Sequence, residues 1–433
     1  MMRRREFLAL AAGASTLKGL PSPKIKDVSV IATAPAGLRL VVVKITTDQD
    51  GLYGYGCATF TQRAELVVQA VQQYLRPLVL GKPADRIGDI WRAMYASSYW
   101  RNGPVLNNAI SGVDEALWDI KGRQTNLPVY QLLGGKCREG AMAYSHASGK
   151  EPEETIDRAR AIMAQGYKVV RLQVGIPGMA GYGAAATGQK TAGAALTGGP
   201  VFEPVPYMQR TLALFERARK ELGNEIELLH DVHERLTPRM AVQFAKDMEQ
   251  FRLFYLEDVL APEDISYFRQ IRTQCATPLA MGELFNNPNE WTPLIKEQLI
   301  DYIRCHVSQV GGLTPARKLA AMAEECQVQT AWHGPGDTSP VGHCANITLD
   351  LVCQNFGVQE WTAADERTQE VFAGYPEMRD GYLFANEKPG WGVEVNEKAA
   401  AKYPFGYGEA DQRRNLNGGW GEVRRRDGSV IQQ

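Results

Sequence analysis

From Ala141 onward the chain repeats one pattern: a short apolar run, a segment long enough for a helix, then another apolar run. Such alternation marks parallel βα units, because parallel neighbours must be joined by a crossover of helix length. Strands are expected near residues 141–146, 168–174, 226–232, 253–258, 278–283, 302–307, 328–333 and 358–362, a set that closes into a barrel. Helical segments such as Thr237 to Gln250 and Thr314 to Cys326 fill most of the gaps. One gap differs. Ile176 to Pro204 is rich in Gly and Ala, with Pro177-Gly178 and Gly198-Gly199-Pro200 as breakers, and reads as a mobile loop over the barrel mouth.

Ahead of Gly134-Gly135 the rhythm is different. Residues 27 to 55 alternate in short apolar runs around an Asp50-Gly51 turn, which predicts a small antiparallel sheet, and residues 62 to 134 show helical periodicity. The expected fold class is therefore α/β: a (β/α)8-type barrel with an α+β capping domain formed by the N-terminal region and the C-terminal segment. The boundaries read as a signal-like segment at 1–22, the cap at 23–138, the barrel at 139–370, and a C-terminal segment at 371–433 that returns to the cap. The chain is long enough for two such units, and its 44% hydrophobic content suffices for a barrel-sized core.

The first residues are basic and then apolar and small: Arg4-Arg5-Glu6-Phe7-Leu8 resembles a twin-arginine export signal, and Ala12-Gly13-Ala14 offers a cleavage site. A periplasmic location is expected, with a basic tail on a cytoplasmic protein as the alternative. No run reaches the roughly 20 apolar residues of a membrane span. A net charge of −1, with Lys and Arg spread along the chain, argues against nucleic acid and acidic membranes as partners and for a small-molecule substrate. Seven widely spaced cysteines form no CxxC pair and read as mostly buried thiols.

The chemistry is carried by the strand ends, which converge on one pocket in a barrel of this kind. Asp231, Glu257 and Glu283 each close a successive apolar run, 26 residues apart. Three acids crowded in a poorly solvated pocket repel one another unless a divalent cation lies between them, and all-oxygen ligation suits Mg2+. An isolated strand-end acid is as readily a helix cap, but three in succession are not. Further polar strand ends complete a ring: His146, Arg171, His233, Arg304, His333 with Asp337 four residues on, and Glu360.

The order and spacing of Asp231, Glu257 and Glu283 resemble the metal ligands of the enolase superfamily. Tyr99-Trp100-Arg101-Asn102-Gly103-Pro104, Ser111 to Gly122, and His333-Gly334-Pro335-Gly336-Asp337 look like its mannonate dehydratase subgroup, which includes proteins labelled starvation-sensing. The second strand reads Arg171-Leu172-Gln173, where racemases of the superfamily carry a Lys-x-Lys base.

That resemblance implies a Mg2+-dependent acid-sugar dehydratase, a hydro-lyase. The cation would hold the carboxylate of a six-carbon sugar acid and stabilise the enediolate formed when the C2 proton leaves. Tyr182, activated by Arg171, would take that proton, and His233 would protonate the departing 3-hydroxyl. His146, Arg304, His333, Asp337 and Glu360 would hold the substrate. Arg39, in the first cap loop where Asn is usual in the family, would bear on which sugar acid is chosen. D-mannonate, giving 2-keto-3-deoxy-D-gluconate, is the first expectation and D-gluconate or another aldonate the second. A low-activity sugar-acid sensor is the rival from another class. The resemblance also implies a homo-oligomer.

Overall fold

The computed structural model describes residues 20–175, 201–406, 424–425 and 427–431. The cap opens with an antiparallel sheet of β1 (Ile25–Thr33), β2 (Leu40–Thr47) and β3 (Tyr53–Cys57), with Asp50-Gly51 in the β2–β3 turn. Its central strand is apolar on both faces for a reason. Leu40 and Val42 belong to the large core of the barrel, whereas Val41, Val43 and Ile45 belong to a separate core under the cap helices. Side chains alternate across a strand, so successive residues of β2 serve two different interiors. The long helix α1 (Pro104–Thr125) lies directly on β3. It can do so because both surfaces are glycine at the contact: a Cβ on Gly56 would come within 2.1 Å of the Gly112 carbonyl oxygen.

The barrel strands are β4 (Ala141–Gly149), β5 (Val169–Val174), β6 (Glu227–Asp231), β7 (Tyr255–Glu257), β8 (Leu279–Met281), β9 (Tyr302–Ile303), β10 (Gln329–Thr330) and β11 (Gln359–Glu360). All pair in parallel in sequence order, and β11 pairs with β4. The ring closes where Thr330 donates to Asn355 O at 2.8 Å and accepts from Gly357 N at 2.9 Å, just ahead of β11. Helices alternate with the strands, among them α2 (Pro152–Ala164), α3 (Pro204–Leu222), α4 (Pro238–Met248), α5 (Leu313–Glu325) and α6 (Pro340–Val352). Inside the barrel a layer of Tyr144, Val169, Leu229, Tyr255, Ala280, Ala331 and Val358, with Tyr302 packed against it, fills the interior. The barrel is thus a packed core and not a pore.

The C-terminal segment departs from the simple return to the cap. Its hairpin, Glu377–Arg379 with Tyr382–Phe384, pairs antiparallel with the start of β4, where Tyr382 meets Met142. The first residues of β4 precede its pairing with β5 at Tyr144, and the hairpin covers that open edge. The chain then reaches the cap: Trp391 Nε1 donates to Tyr55 O at 3.0 Å, and Thr33 Oγ1 donates to Ala400 O at 2.9 Å. Arg424 O in turn accepts from Phe202 N at 2.9 Å, so the last described residues lie on the barrel and not on the cap. The loop expected at 176–204 falls largely outside the described residues, as does the signal-like segment. Among the described residues no helix is long and apolar enough to cross a membrane, and none of the seven cysteines is in a disulfide.

Candidate active site

One rule of alternation places almost every polar group of the barrel mouth. Each strand contributes an apolar or aromatic residue to the interior layer, and the side chain two positions later points the same way, one level nearer the C-terminal end. Tyr144 is followed by His146, Val169 by Arg171, Leu229 by Asp231, Tyr255 by Glu257, Tyr302 by Arg304, Ala331 by His333, and Val358 by Glu360. The ring of polar side chains is the next layer above the apolar filling.

β8 breaks the rule. Ala280 lies in the interior, so strict alternation would turn Gly282 inward and Glu283 outward. Gly282 adopts φ +137°, and a Cβ there would crowd Ile303 and Cys305 at 3.1–3.2 Å. This glycine turn brings Glu283 to the ring, 3.4 Å from His233 Nε2, 3.2 Å from His333 Nε2 and 3.8 Å from Arg304 Nη2.

Two buried guanidiniums thread the acids. Arg171 Nη1 lies 3.3 Å from Asp231, 3.6 Å from Glu360 and 3.9 Å from Glu257. Arg304 Nη2 pairs with Glu257 and lies 3.1 Å from Glu360. Arg171 Nη2 also meets His146 Nδ1 at 3.2 Å. A guanidinium can only donate, so that nitrogen accepts and His146 carries its hydrogen on Nε2, which faces Glu360 at 2.8 Å. Burial, reinforced by the charge of Arg171, holds His146 below the usual histidine range.

Asp231, Glu257, Glu283 and Glu360 set against Arg171 and Arg304 leave two negative charges uncompensated in a buried space. Burial pushes Glu257 well up, with Arg304 opposing and Asp231 adding to the rise. Glu360 and Glu283 go the other way: burial raises them, but Arg304 and His333 for the first, and His333 and His233 for the second, hold them below the carboxylate range.

Asp231, Glu257 and the neighbouring Asp258 bring carboxylate oxygens within 4.8 Å of one another. Consecutive residues of a strand should face opposite ways, but Asp258 has φ +43° and turns back toward the cluster. Asp231 Oδ1 and Asp258 Oδ2 are buried with no hydrogen-bond partner among the described residues. Oxygen atoms left so in an all-carboxylate set fit a hard divalent cation. His233 and Glu234, at φ +57° and +64°, form a second left-handed turn just after Asp231.

Asp337 accepts from Thr61 Oγ1 of the cap at 3.4 Å, and burial, opposed by His333, raises its carboxyl. Arg39 is buried, pairs with Glu65, and donates to Gly406 O at 2.8 Å. Tyr182 lies outside the described residues. Residues that sequence reasoning passed over are Asp258, Glu234 and His306. His306 had a legible signal, since it stands two residues past Arg304 on the same alternation and meets His333, Nδ1 to Nδ1, at 2.7 Å.

Comparison with known proteins agrees with this architecture. Residues 21–134 match the mandelate racemase / muconate lactonizing enzyme N-terminal domain, and residues 154–399 match the enolase C-terminal domain-like family. A D-galactonate dehydratase family member of Musicola paradisiaca is 52% identical over 392 residues, covering 88% of this chain and 94% of that protein. The family member RspA of Pantoea ananatis is 49% identical over 417 residues, covering 94% and 98%. A crystal structure of an enolase from Pantoea ananatis, with bound D-gluconate and Mg, superposes with a TM-score of 0.88 at 47% identity, covering 95% of this chain and all of that one. The chain belongs to the enolase superfamily, alongside proteins of the D-galactonate dehydratase family.

Proposed function

We propose that the protein is a Mg2+-dependent dehydratase of six-carbon sugar acids, with D-gluconate as its leading substrate. The observation that carries this reading is the ring itself: buried carboxylates with unpaired oxygens beside two fixed guanidiniums and several histidines at the C-terminal ends of the strands. The relative with bound D-gluconate and Mg favours gluconate over D-mannonate, the first expectation from sequence. D-galactonate, which names the family of the curated relatives, belongs in the same comparison.

Asp231, Glu257 and Glu283 would hold the cation, with Asp258 beside them. Bound there, Mg2+ supplies positive charge for the substrate carboxylate and for the charge that builds beside it as the C2 proton leaves. Arg171 and Arg304 pair with the acids of the ring and fix them in place. His233 stands at the mouth on a left-handed turn, where its Nε2 can hold the proton given to the leaving 3-hydroxyl. Tyr182, on the strength of the family resemblance, remains the proposed base. Loss of water across C2 and C3 yields a 2-keto-3-deoxy acid.

The test is a keto-acid assay with Mg2+ against D-gluconate, D-mannonate and D-galactonate, with Tyr182→Phe and His233→Asn as controls. Mg2+-dependent product lost in both variants supports the proposal; saturable binding of an acid without product would replace it with a sensor. Export by the twin-arginine-like segment is part of the same proposal, and recovery of the protein in the cytoplasmic fraction alone would remove it.

A further inference from the structure

Two cysteines stand ahead of the two strands whose pairing closes the barrel: Cys137 is four residues before β4, and Cys353 is six before β11. The chain around Cys137 is fastened to the end of α6 by a run of hydrogen bonds. Cys137 N donates to Leu351 O at 2.7 Å, and the Cys137 thiol donates to Val352 O at 3.0 Å. Arg138 extends the run: its Nη1 donates to Asp350 O and, at 2.7 Å, to Cys353 O, while its Nη2 donates to Gln354 O at 3.2 Å. The same guanidinium lies over the Phe356 ring.

These bonds limit how far apart the two sulfurs can be. The Val352 oxygen and the Cys353 Cα belong to one planar peptide and lie about 2.8 Å apart. With the thiol bonded to that oxygen, Cys137 Sγ is within about 6 Å of the Cys353 Cα, a reach that side-chain rotation can close while the backbone stays in place. Their surroundings differ: Cys137 is exposed and Cys353 is buried. Burial, then Asp350 and Glu324, push the Cys353 thiol up to about 12, and Cys137 is among the groups that act on it. The exposed sulfur is therefore the one an oxidant meets first.

We infer that Cys137 and Cys353 form a disulfide that fastens the closing seam of the barrel. The Cys137 thiolate attacks the disulfide of an oxidant, either oxidised glutathione or an oxidised dithiol protein, and one thiol leaves. Cys353, having lost its proton to water, attacks Cys137 Sγ and releases the second thiol. Two protein thiols thus give up two electrons and two protons, and the oxidant's disulfide becomes two thiols. The bond closes a loop that holds seven of the eight barrel strands, and a cross-link over so long a loop restricts the unfolded chain strongly. It lies ahead of its strands, at the end of the barrel opposite the polar ring, so it acts on stability and not on the site. The inference stands apart from the dehydratase reading. An oxidising compartment, such as the one to which an export signal would lead, favours the bond.

The test is to incubate the purified full-length protein with oxidised glutathione or with dithiothreitol, block the remaining thiols, and map the peptides by mass spectrometry. Oxidation should lower the count of free thiols by two and yield one peptide pair within a single chain, joined through Cys137 and Cys353. The oxidised protein should melt about 2–6 °C above the reduced one. Cys137→Ser and Cys353→Ala should each remove both the linked peptide and the difference in melting. A glutathione adduct on Cys137 alone, a bond between two chains, a pairing with another cysteine, or a linked protein that melts no higher than the reduced one overturns the inference. Should Cys353→Ala fail to fold, the wild-type peptide map and the exposed Cys137→Ser variant still decide.

Discussion

Two sets of buried acids occupy this molecule, and burial does not distinguish them. In the cap, Asp114, Glu115 and Asp119 line one helix, α1, and are fully enclosed. Each has a backbone partner. Asp114 accepts from Thr314 N at 2.8 Å, Glu115 from Cys57 N at 2.8 Å, and Asp119 from Tyr55 N and Trp391 N at 2.9 Å each. These carboxylates staple the cap sheet, the C-terminal segment and the start of α5 to one helix. At the barrel mouth Asp231, Glu257 and Glu283 face charged side chains, and among the described residues no backbone N–H donates to their carboxylates. An acid answered by backbone is architecture, whereas an acid answered only by other charges is suited to holding an ion.

The sharpest way to break this comparison is to neutralise one acid of each kind. Asp231→Asn should abolish Mg2+ binding measured by calorimetry and lower turnover by ~10^3-fold, while the melting temperature of the metal-free protein holds or rises because repulsion is relieved. A marked loss of metal-free stability would move Asp231 to the structural set. The reverse holds for Asp119→Ala, which should cost about 3 kcal/mol in denaturant unfolding by stranding two N–H groups and Arg123. The folded fraction of that variant should bind Mg2+ with unchanged affinity.

The pH dependence separates the sets next. Burial pushes Asp114 up to about 7, Glu115 to about 8 and Asp119 to about 6, against about 4 in an unfolded chain. Between about pH 4 and pH 8 the folded state therefore holds more protons than the unfolded one, and stability falls as pH rises. Thermal melts should show this fall without metal. Mg2+ should recover the share that comes from Glu257 and Asp258 at the mouth, and leave the share from the cap, which Asp114→Asn should reduce. A melting curve made wholly independent of pH by Mg2+ would contradict the division. The smallest effect is expected from Asp258→Asn, a loss of Mg2+ affinity of less than about 10-fold, since this residue stands beside the three strand-end acids.

What the sequence made legible follows from range. The barrel strands could be read because apolar runs and helix-length spacings are local patterns, and the ring residues could be read because each stands two positions beyond an interior residue. Glu283 was readable as an acid closing an apolar run, yet its direction depends on the positive φ of Gly282. Asp258 and Glu234 were not readable, because a residue after a strand end turns left-handed only when tertiary contacts require it. The pairing of His306 with His333 joins two strands 27 residues apart, and no local pattern records which nitrogens will meet. The partners of Arg39, Glu65 and the Gly406 carbonyl, likewise lie far along the chain and are not recorded by any local pattern. The edge that the hairpin at 377–384 covers exists only once the barrel has formed.

β2 gives its odd and even residues to different interiors, Leu40 and Val42 to the barrel core and Val41, Val43 and Ile45 to the cap core. One strand is thus a party wall: melting either side strips the other of its lining. Cap and barrel therefore cannot come apart as independently folded units, and the chain should denature as a single cooperative body despite its length.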